Sequence, residues 1–179
     1  LFNGANIEQN RVELTPTLTR IVVAVDPAVT SNASSDETGI IVAGRSEDNQ
    51  YYILEDFSGI FSPDVWIKKA IECYYKFDAD RIVCEVNNGG DLIEKLLRVQ
   101  DVNVPYTSVR ATRGKMLRAE PISALYEQDK VHHVGYFKEL EEQMTSYTPY
   151  TTKSPDRLDA VVWALTSLQS SGKAIFRIS

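Results

Sequence analysis

The stretch Arg20-Ile21-Val22-Val23-Ala24-Val25-Asp26 decides how this chain is read. Five apolar residues in a row, four of them β-branched, read as a short buried strand. An acid closes the run where apolar residues would otherwise continue. The pattern recurs at Arg81-Ile82-Val83-Cys84-Glu85-Val86, again with an acid at its end. The connection between the two runs contains a hairpin and a helix, long enough for a parallel, right-handed crossover that places the second strand beside the first. Neighbouring strands lie about 4.8 Å apart. Asp26 and Glu85 are therefore expected at the same edge of one sheet, where ligand sites of open α/β sheets gather.

Working outward, TGIIVAG (38–44) and QYYILEDF (50–57) read as two further strands, and the turn residues Glu47, Asp48 and Asn49 predict that they pair antiparallel. Ser62-Pro63 opens a helix in the favoured order, cap residue then proline, with Trp66, Ile67, Ala70, Ile71 and Tyr74 on its apolar face. Asn87-Asn88-Gly89-Gly90 is a turn, and Leu92, Ile93, Leu96 and Leu97 mark a short helix. VNVPYTSV (102–109) is a fifth strand, which Pro105 pushes toward a sheet edge. Residues 114–128 read as helical, interrupted or restarted at Pro121. VHHV (131–134) reads as a short extended piece, Phe137, Leu140 and Met144 mark another helix, and the last helix begins at Ser154-Pro155. The sum is an α/β domain with a central mixed sheet of about five strands, the first three antiparallel and the later ones parallel, flanked by helices. The expected organisation is an N-terminal extension or linker over 1–19, one domain over 20–169 and a C-terminal tail over 170–179.

At 179 residues the chain suits a single domain. Its 43% hydrophobic and 25% charged residues exclude a disordered or fibrous protein. Nineteen Lys and Arg against 25 Asp and Glu leave a net charge of −6. A broad positive field of the kind that coats nucleic acid is excluded, and only a local basic strip remains open. Cys73 and Cys84 match no metal or redox spacing and read as core packing in a reducing compartment. No apolar run approaches the length of a membrane span, and the opening Leu1-Phe2-Asn3-Gly4 lacks a signal-peptide pattern. An intracellular protein without a membrane partner is expected, and the abrupt start suits a cut inside a longer chain.

Two carboxylates about 4 Å apart repel by about 4 kcal/mol at an effective dielectric of 20, so a site holding both Asp26 and Glu85 needs a cation or a proton. Hard divalent cations take oxygen ligands of this kind. The plainer account is that Asp26 opens an Asp-Pro turn and Glu85 pairs with Arg81 or a nearby Lys. A third element shifts the balance. In Ser154-Pro155-Asp156-Arg157-Leu158-Asp159-Ala160-Val161-Val162-Trp163, Asp156 and Asp159 share one helical face. Compensation of the helix dipole explains Asp156. Asp159, deeper among apolar residues, wants a partner.

Five segments in order, VAVDPA (23–28), DETGIIVAG (36–44), CEVNNGGD (84–91), VRATRGKMLRAEPISALYEQDKVHHVG (109–135) and SPDRLDAVVWAL (154–165), resemble the C-terminal nuclease domain of the large terminase subunit of tailed bacteriophages, a member of the ribonuclease H-like superfamily. The resemblance implies a metal-dependent endonuclease that cleaves concatemeric viral DNA during genome packaging. It implies catalytic and metal-binding roles for Asp26, Glu85 and the Asp156/Asp159 pair. Related sequences carry the third acid at one, the other or both of these positions, so both are taken. The implied cofactor is Mg²⁺ or Mn²⁺, two ions clamping the scissile phosphate. The implied partners are double-stranded DNA, an ATPase motor domain of the same polypeptide, the portal and the small terminase subunit, and the implied location is the host cytoplasm at the assembling procapsid. The chain contains no P-loop motif of its own.

Residues 98–118 hold Arg98, Arg110, Arg113, Lys115 and Arg118 against Asp101, a local balance of +4. Arg110, Arg113, Lys115 and Arg118 are the expected DNA-binding residues, although a solvated helix start would look the same. The acids of 36–56 read as a solvated face away from DNA. Asp36 is a supporting candidate from its loop, as are Asn87 and Asn88, whose amides suit a phosphate or a metal-bound water. His132 and His133, adjacent in an extended segment, point to opposite faces and suit packing better than one metal. Three alternatives stand beside the terminase reading: another ribonuclease H-like nuclease such as a junction resolvase, an actin- or sugar-kinase-like ATP-binding half, and a non-catalytic docking module of the packaging motor. The kinase reading expects a Gly-rich turn after the first acid, which Pro27-Ala28-Val29-Thr30 does not supply.

Overall fold

A computed structural model describes residues 1–28, 36–87 and 90–174, with side chains of the last helix to 169. Its elements run α1 (Gly4–Gln9), β1 (Leu18–Asp26), β2 (Gly39–Ser46), β3 (Tyr51–Asp56), α2 (Pro63–Lys76), β4 (Arg81–Glu85), α3 (Gly90–Gln100), β5 (Tyr106–Val109), α4 (Lys115–Glu127), β6 (Val131–His133), α5 (Lys138–Ser146) and α6 (Asp156–Ala174). The sheet order is β5-β4-β1-β2-β3-β6. β1, β2 and β3 form an antiparallel meander, while β4 lies parallel to β1 and β5 parallel to β4. The crossover read from the two acid-terminated runs is present, and β5, carrying Pro105 just before it, is an edge strand.

The sheet has six strands rather than about five. The sixth is the VHHV segment, which pairs parallel with β3 through Tyr51↔Val131 and Ile53↔His133. Three residues are too few to show a period-two pattern, so only the pairing partner reveals the strand. α4 is continuous through Pro121, not restarted there. The carbonyl that loses its helical partner belongs to Leu117, on the exposed side of the helix, where the loss is cheapest. α6 also runs past the expected start of the tail at 170, through Ala174.

β1 is covered on both faces, as its unbroken apolar run requires. Val22 and Ala24 join a core with Ile41, Ala43, Ile53, Leu125, Leu140, Leu158 and Val161 beneath α4, α5 and α6. Val23 and Val25 join the opposite core with Ile40, Val42, Trp66, Ile67 and Leu97 beneath α2 and α3. Residues 1–19, expected as an extension or linker, carry α1, and Phe2 and Ile7 are buried in the first of these cores. Arg11 fixes the segment: it pairs with Glu141 at 2.6 Å, and Glu141 in turn accepts from the buried ring of His133 at 3.0 Å. His133 also meets the Tyr126 hydroxyl at 2.7 Å, while His132 stacks on Tyr52, so both histidines pack. Cys73 and Cys84 are buried free thiols whose pKa burial pushes up to about 12. Among the described residues no helix is long and apolar enough to cross a membrane.

Candidate metal centre

The alternation of side chains along β1 puts Asp26 on the same face as Val22 and Ala24, toward α6. Asp26 pairs with Gly39 across the β1–β2 ladder. Gly39 is where α6 comes down onto the sheet: a Cβ on it would lie 2.1 Å from the Asp156 carbonyl oxygen. Only a residue without a side chain lets the helix start this close to Asp26. Two neighbours hold that start in place. The Gln143 side-chain oxygen accepts from the backbone N–H groups of Arg157 and Leu158, at 3.1 and 3.2 Å, satisfying two donors that a first helical turn leaves unpaired. The Arg157 guanidinium bonds Asp56 at the end of β3, at 2.7 Å, and Glu37 at 3.3 Å. Those two acids are therefore not a merely solvated face, as the charge run suggested.

Seated this way, α6 delivers both of its acids. Asp26, Asp156 and Asp159 offer carboxylate oxygens that all lie within 4.8 Å of one another. Asp26 and Asp159 are 6% and 5% exposed. Burial, a hydrogen bond with Glu85 and the charge of Asp159 raise the Asp26 carboxyl well above the usual range. Burial likewise raises Asp159, against the pull of Lys115. Asp156 is pushed up to about 6 by burial and by Asp159, although the Ser154 hydroxyl donates to it at 2.7 Å.

Glu85 follows Cys84, the β4 partner of Val25, and so lies level with Asp26, which it meets by hydrogen bond. Arg81 donates to the Thr107 hydroxyl instead, and among the described residues no cation pairs with Glu85. Asp26, Glu85, Asn87 and Ile93 line a cleft of about 280 Å³. Asp26 thus joins two groups of acids, Glu85 in this cleft and Asp156 and Asp159 from α6, and hard oxygen donors of this kind fit a divalent ion.

Lys115, expected on a DNA-facing strip, reaches into this centre. Its Nζ lies 2.8 Å from Asp159 Oδ2 and 3.1 Å from Ser154 Oγ. Burial would lower the ammonium, but contact with Asp159 outweighs it and the group is held charged. Arg110 donates to the Asn87 carbonyl at 2.7 Å, and Arg118 donates to the Arg113 carbonyl at 3.2 Å. Asn87 itself is exposed beside the cleft, whereas Asn88 lies outside the described residues. Asp36 is half-buried and is not one of the three converging carboxylates. Three contributors escape sequence reasoning: Gly39, Gln143, and Lys115 as a counter-ion. A glycine opening a strand opposite an acid is the available signal for the first. Nothing local marks the other two, because their partners lie on another element: Gln143 caps a helix through Arg157, 14 positions further on, and Lys115 pairs with an acid of that same helix.

The strand order and the acids at the ends of β1 and β4 and the start of α6 define a ribonuclease H-like domain. The chain belongs to the terminase RNaseH-like domain family, whose model matches residues 23–168. Among solved structures it is similar to the nuclease domain of the large terminase subunit gp2 of bacterial virus Sf6, with a TM-score of 0.69 at 10% identity over 92% of this chain and 97% of that one. The large terminase of bacteriophage HK97 gives 0.69 at 11% identity over 93% of this chain, which spans only 43% of that protein. The large terminase nuclease of the thermophilic phage G20c, solved with bound zinc, gives 0.64 at 12% identity over 91% of this chain and 98% of that one. No curated protein matches the sequence.

Proposed function

We propose that this domain is a divalent-metal-dependent endodeoxyribonuclease that cuts concatemeric viral DNA during packaging, by two-metal-ion hydrolysis with Mg²⁺ or Mn²⁺. The observation that carries the reading is the convergence of Asp26, Asp156 and Asp159, with Glu85 bonded to Asp26 and one lysine paired with Asp159. Four acids and one ammonium leave an excess of negative charge that a divalent cation would neutralise. The zinc bound by the G20c domain supports the same assignment.

Asp26, flanked by Glu85 on one side and by the α6 acids on the other, would contribute to holding both ions. Glu85 would hold one and Asp159 or Asp156 the other. Bound ions of this kind activate the attacking water, polarise the phosphate and stabilise the leaving oxygen. The chain's own part is to keep the carboxylates converged through Gly39, Gln143 and Arg157, and to give up their protons as the cation enters. The motor domain of the same polypeptide, the portal and the small subunit would present the DNA at the procapsid in the host cytoplasm, which fits a domain whose own net charge is −6.

Nicking of supercoiled plasmid tests this reading. The chain should nick in Mn²⁺ or Mg²⁺ and not in EDTA, and Asp26→Asn and Glu85→Gln should remove the activity while keeping the circular-dichroism spectrum. Full nicking by folded Asp26→Asn would overturn it. A preference for four-way junctions over plasmid would transfer the same chemistry to a resolvase.

A further inference from the structure

A second cavity, of about 310 Å³, opens between α4 and α6. Arg110, Arg113 and Arg118 line it over a floor that includes Leu117 and Trp163, and none of its lining residues is acidic. The Arg118 guanidinium is held in place, its carbon 5.0 Å from the centre of the Trp163 ring and its Nε bonded to the Arg113 carbonyl. Arg118 Nη1 and the Nε1 of Trp163, itself 8% exposed, are both buried with no hydrogen-bond partner among the described residues. Buried donors in native folds are almost always paired, so two orphans beside one cavity mark a place where a ligand supplies acceptors. Three guanidiniums and no carboxylate select an anion, and the planar fork of arginine matches phosphate oxygens in particular.

The position of the cavity identifies which anion. Arg118 follows Lys115 by one turn of α4, and Trp163 follows Asp159 by one turn of α6, so the cavity is displaced from the carboxylates by about 5.4 Å along both helices. That displacement is of the order of the spacing between neighbouring phosphates on one strand. Arg110 ties the same cavity to the strand end beside Glu85 through the Asn87 carbonyl. We propose that this cavity is a subsite for a backbone phosphate of the DNA strand, one or two nucleotides from the phosphate held at the carboxylates, with Arg118 and Arg113 as its ligands and Trp163 as its floor. The identity of the ligand rests on the nuclease reading. The subsite positions the strand and reads no base, as phosphate contacts do.

The test measures binding without cleavage. The protein has two tryptophans, so Trp66→Phe leaves Trp163 as the sole reporter. In EDTA, a 20-base-pair duplex should change Trp163 emission, and inorganic phosphate should do so more weakly. Arg118→Gln and Arg113→Gln should each lower the slope of log affinity against log salt by about one. Arg113 is exposed, which keeps the test open if Arg118→Gln does not fold. An unchanged slope in folded Arg113→Gln and Arg118→Gln, or emission that responds to an acidic peptide but not to duplex, overturns the subsite. Metal-dependent nicking alongside such an unchanged slope would leave the nuclease reading standing. A flattened slope in a chain that never cleaves would uphold the subsite and remove the nuclease.

Discussion

Lys115, the first residue of α4, places its ammonium 2.8 Å from the Asp159 carboxylate, one member of the acid cluster. It neutralises one of the carboxylates that a metal would need. A cation entering the centre has to share Asp159 with Lys115 or displace it, so the ion pair stabilises the metal-free domain and competes with the metal.

Lys115→Met should therefore separate the two effects. The lysine is partly exposed and the pair is worth about 1 kcal/mol. Removing it should lower the melting temperature in EDTA and tighten Mn²⁺ binding by roughly fivefold. Isothermal titration with Mn²⁺ and a thermal melt of the same variant check both signs. Weaker Mn²⁺ binding would mean that the lysine helps to assemble the site and does not compete for it.

The raised carboxyls make a pH prediction. Asp156 is pushed up to about 6, by burial first and the charge of Asp159 next, from an ordinary value of 3.8. The folded state thus holds a proton that the unfolded chain releases sooner. Its contribution to stability is full below about pH 4 and is lost as pH rises through about 6. In EDTA, the melting temperature of the wild type relative to Asp156→Asn should fall between about pH 4 and 6, and saturating Mn²⁺ should flatten the difference. Nicking should rise over the same interval if, as proposed, the ionised carboxylates hold the metal. A difference in melting temperature that grows with pH would contradict the assignment.

Gly39→Ala addresses the seat of α6. The added Cβ would meet a backbone oxygen at 2.1 Å, which no side-chain rotation relieves. Overpacking of this kind costs about 1–3 kcal/mol, and the backbone contact puts this case at the upper end. The helix must move outward, carrying Asp156 and Asp159 away from Asp26. Loss of Mn²⁺ affinity beyond what the melting temperature explains is the expected result.

The contrast between Asp26 and Gln143 shows what could be seen in the sequence. Asp26 and Glu85 were legible because each interrupts a β-branched run, and because a long crossover puts two parallel strands side by side. Asp156 and Asp159 were legible as acids in an apolar helix, where a buried charge needs a reason. Gln143, Arg157 and Lys115 carry no such local anomaly: each is an ordinary polar residue on a helix until a distant partner arrives. β6 stayed hidden for the same reason, since three residues form a strand only when β3 lies beside them.

Arg157 is the strongest of these distant ties. Its side chain is 11% exposed and that of Asp56 5%, and the two bond at 2.7 Å across the end of the sheet. Removing one member of a buried pair leaves the other charge unpaired and costs about 3–5 kcal/mol. Arg157→Met should therefore lose far more stability than Gln143→Ala, which removes one cap acceptor worth about 1 kcal/mol. Arg157→Met combined with Asp56→Leu removes both charges and should recover much of the loss, which chemical denaturation of the four proteins would measure. If the pair serves only to seat α6, Mn²⁺ affinity should follow stability back up in the double variant. Recovery of stability without recovery of Mn²⁺ binding would show that the charge of Arg157 itself tunes the neighbouring acids.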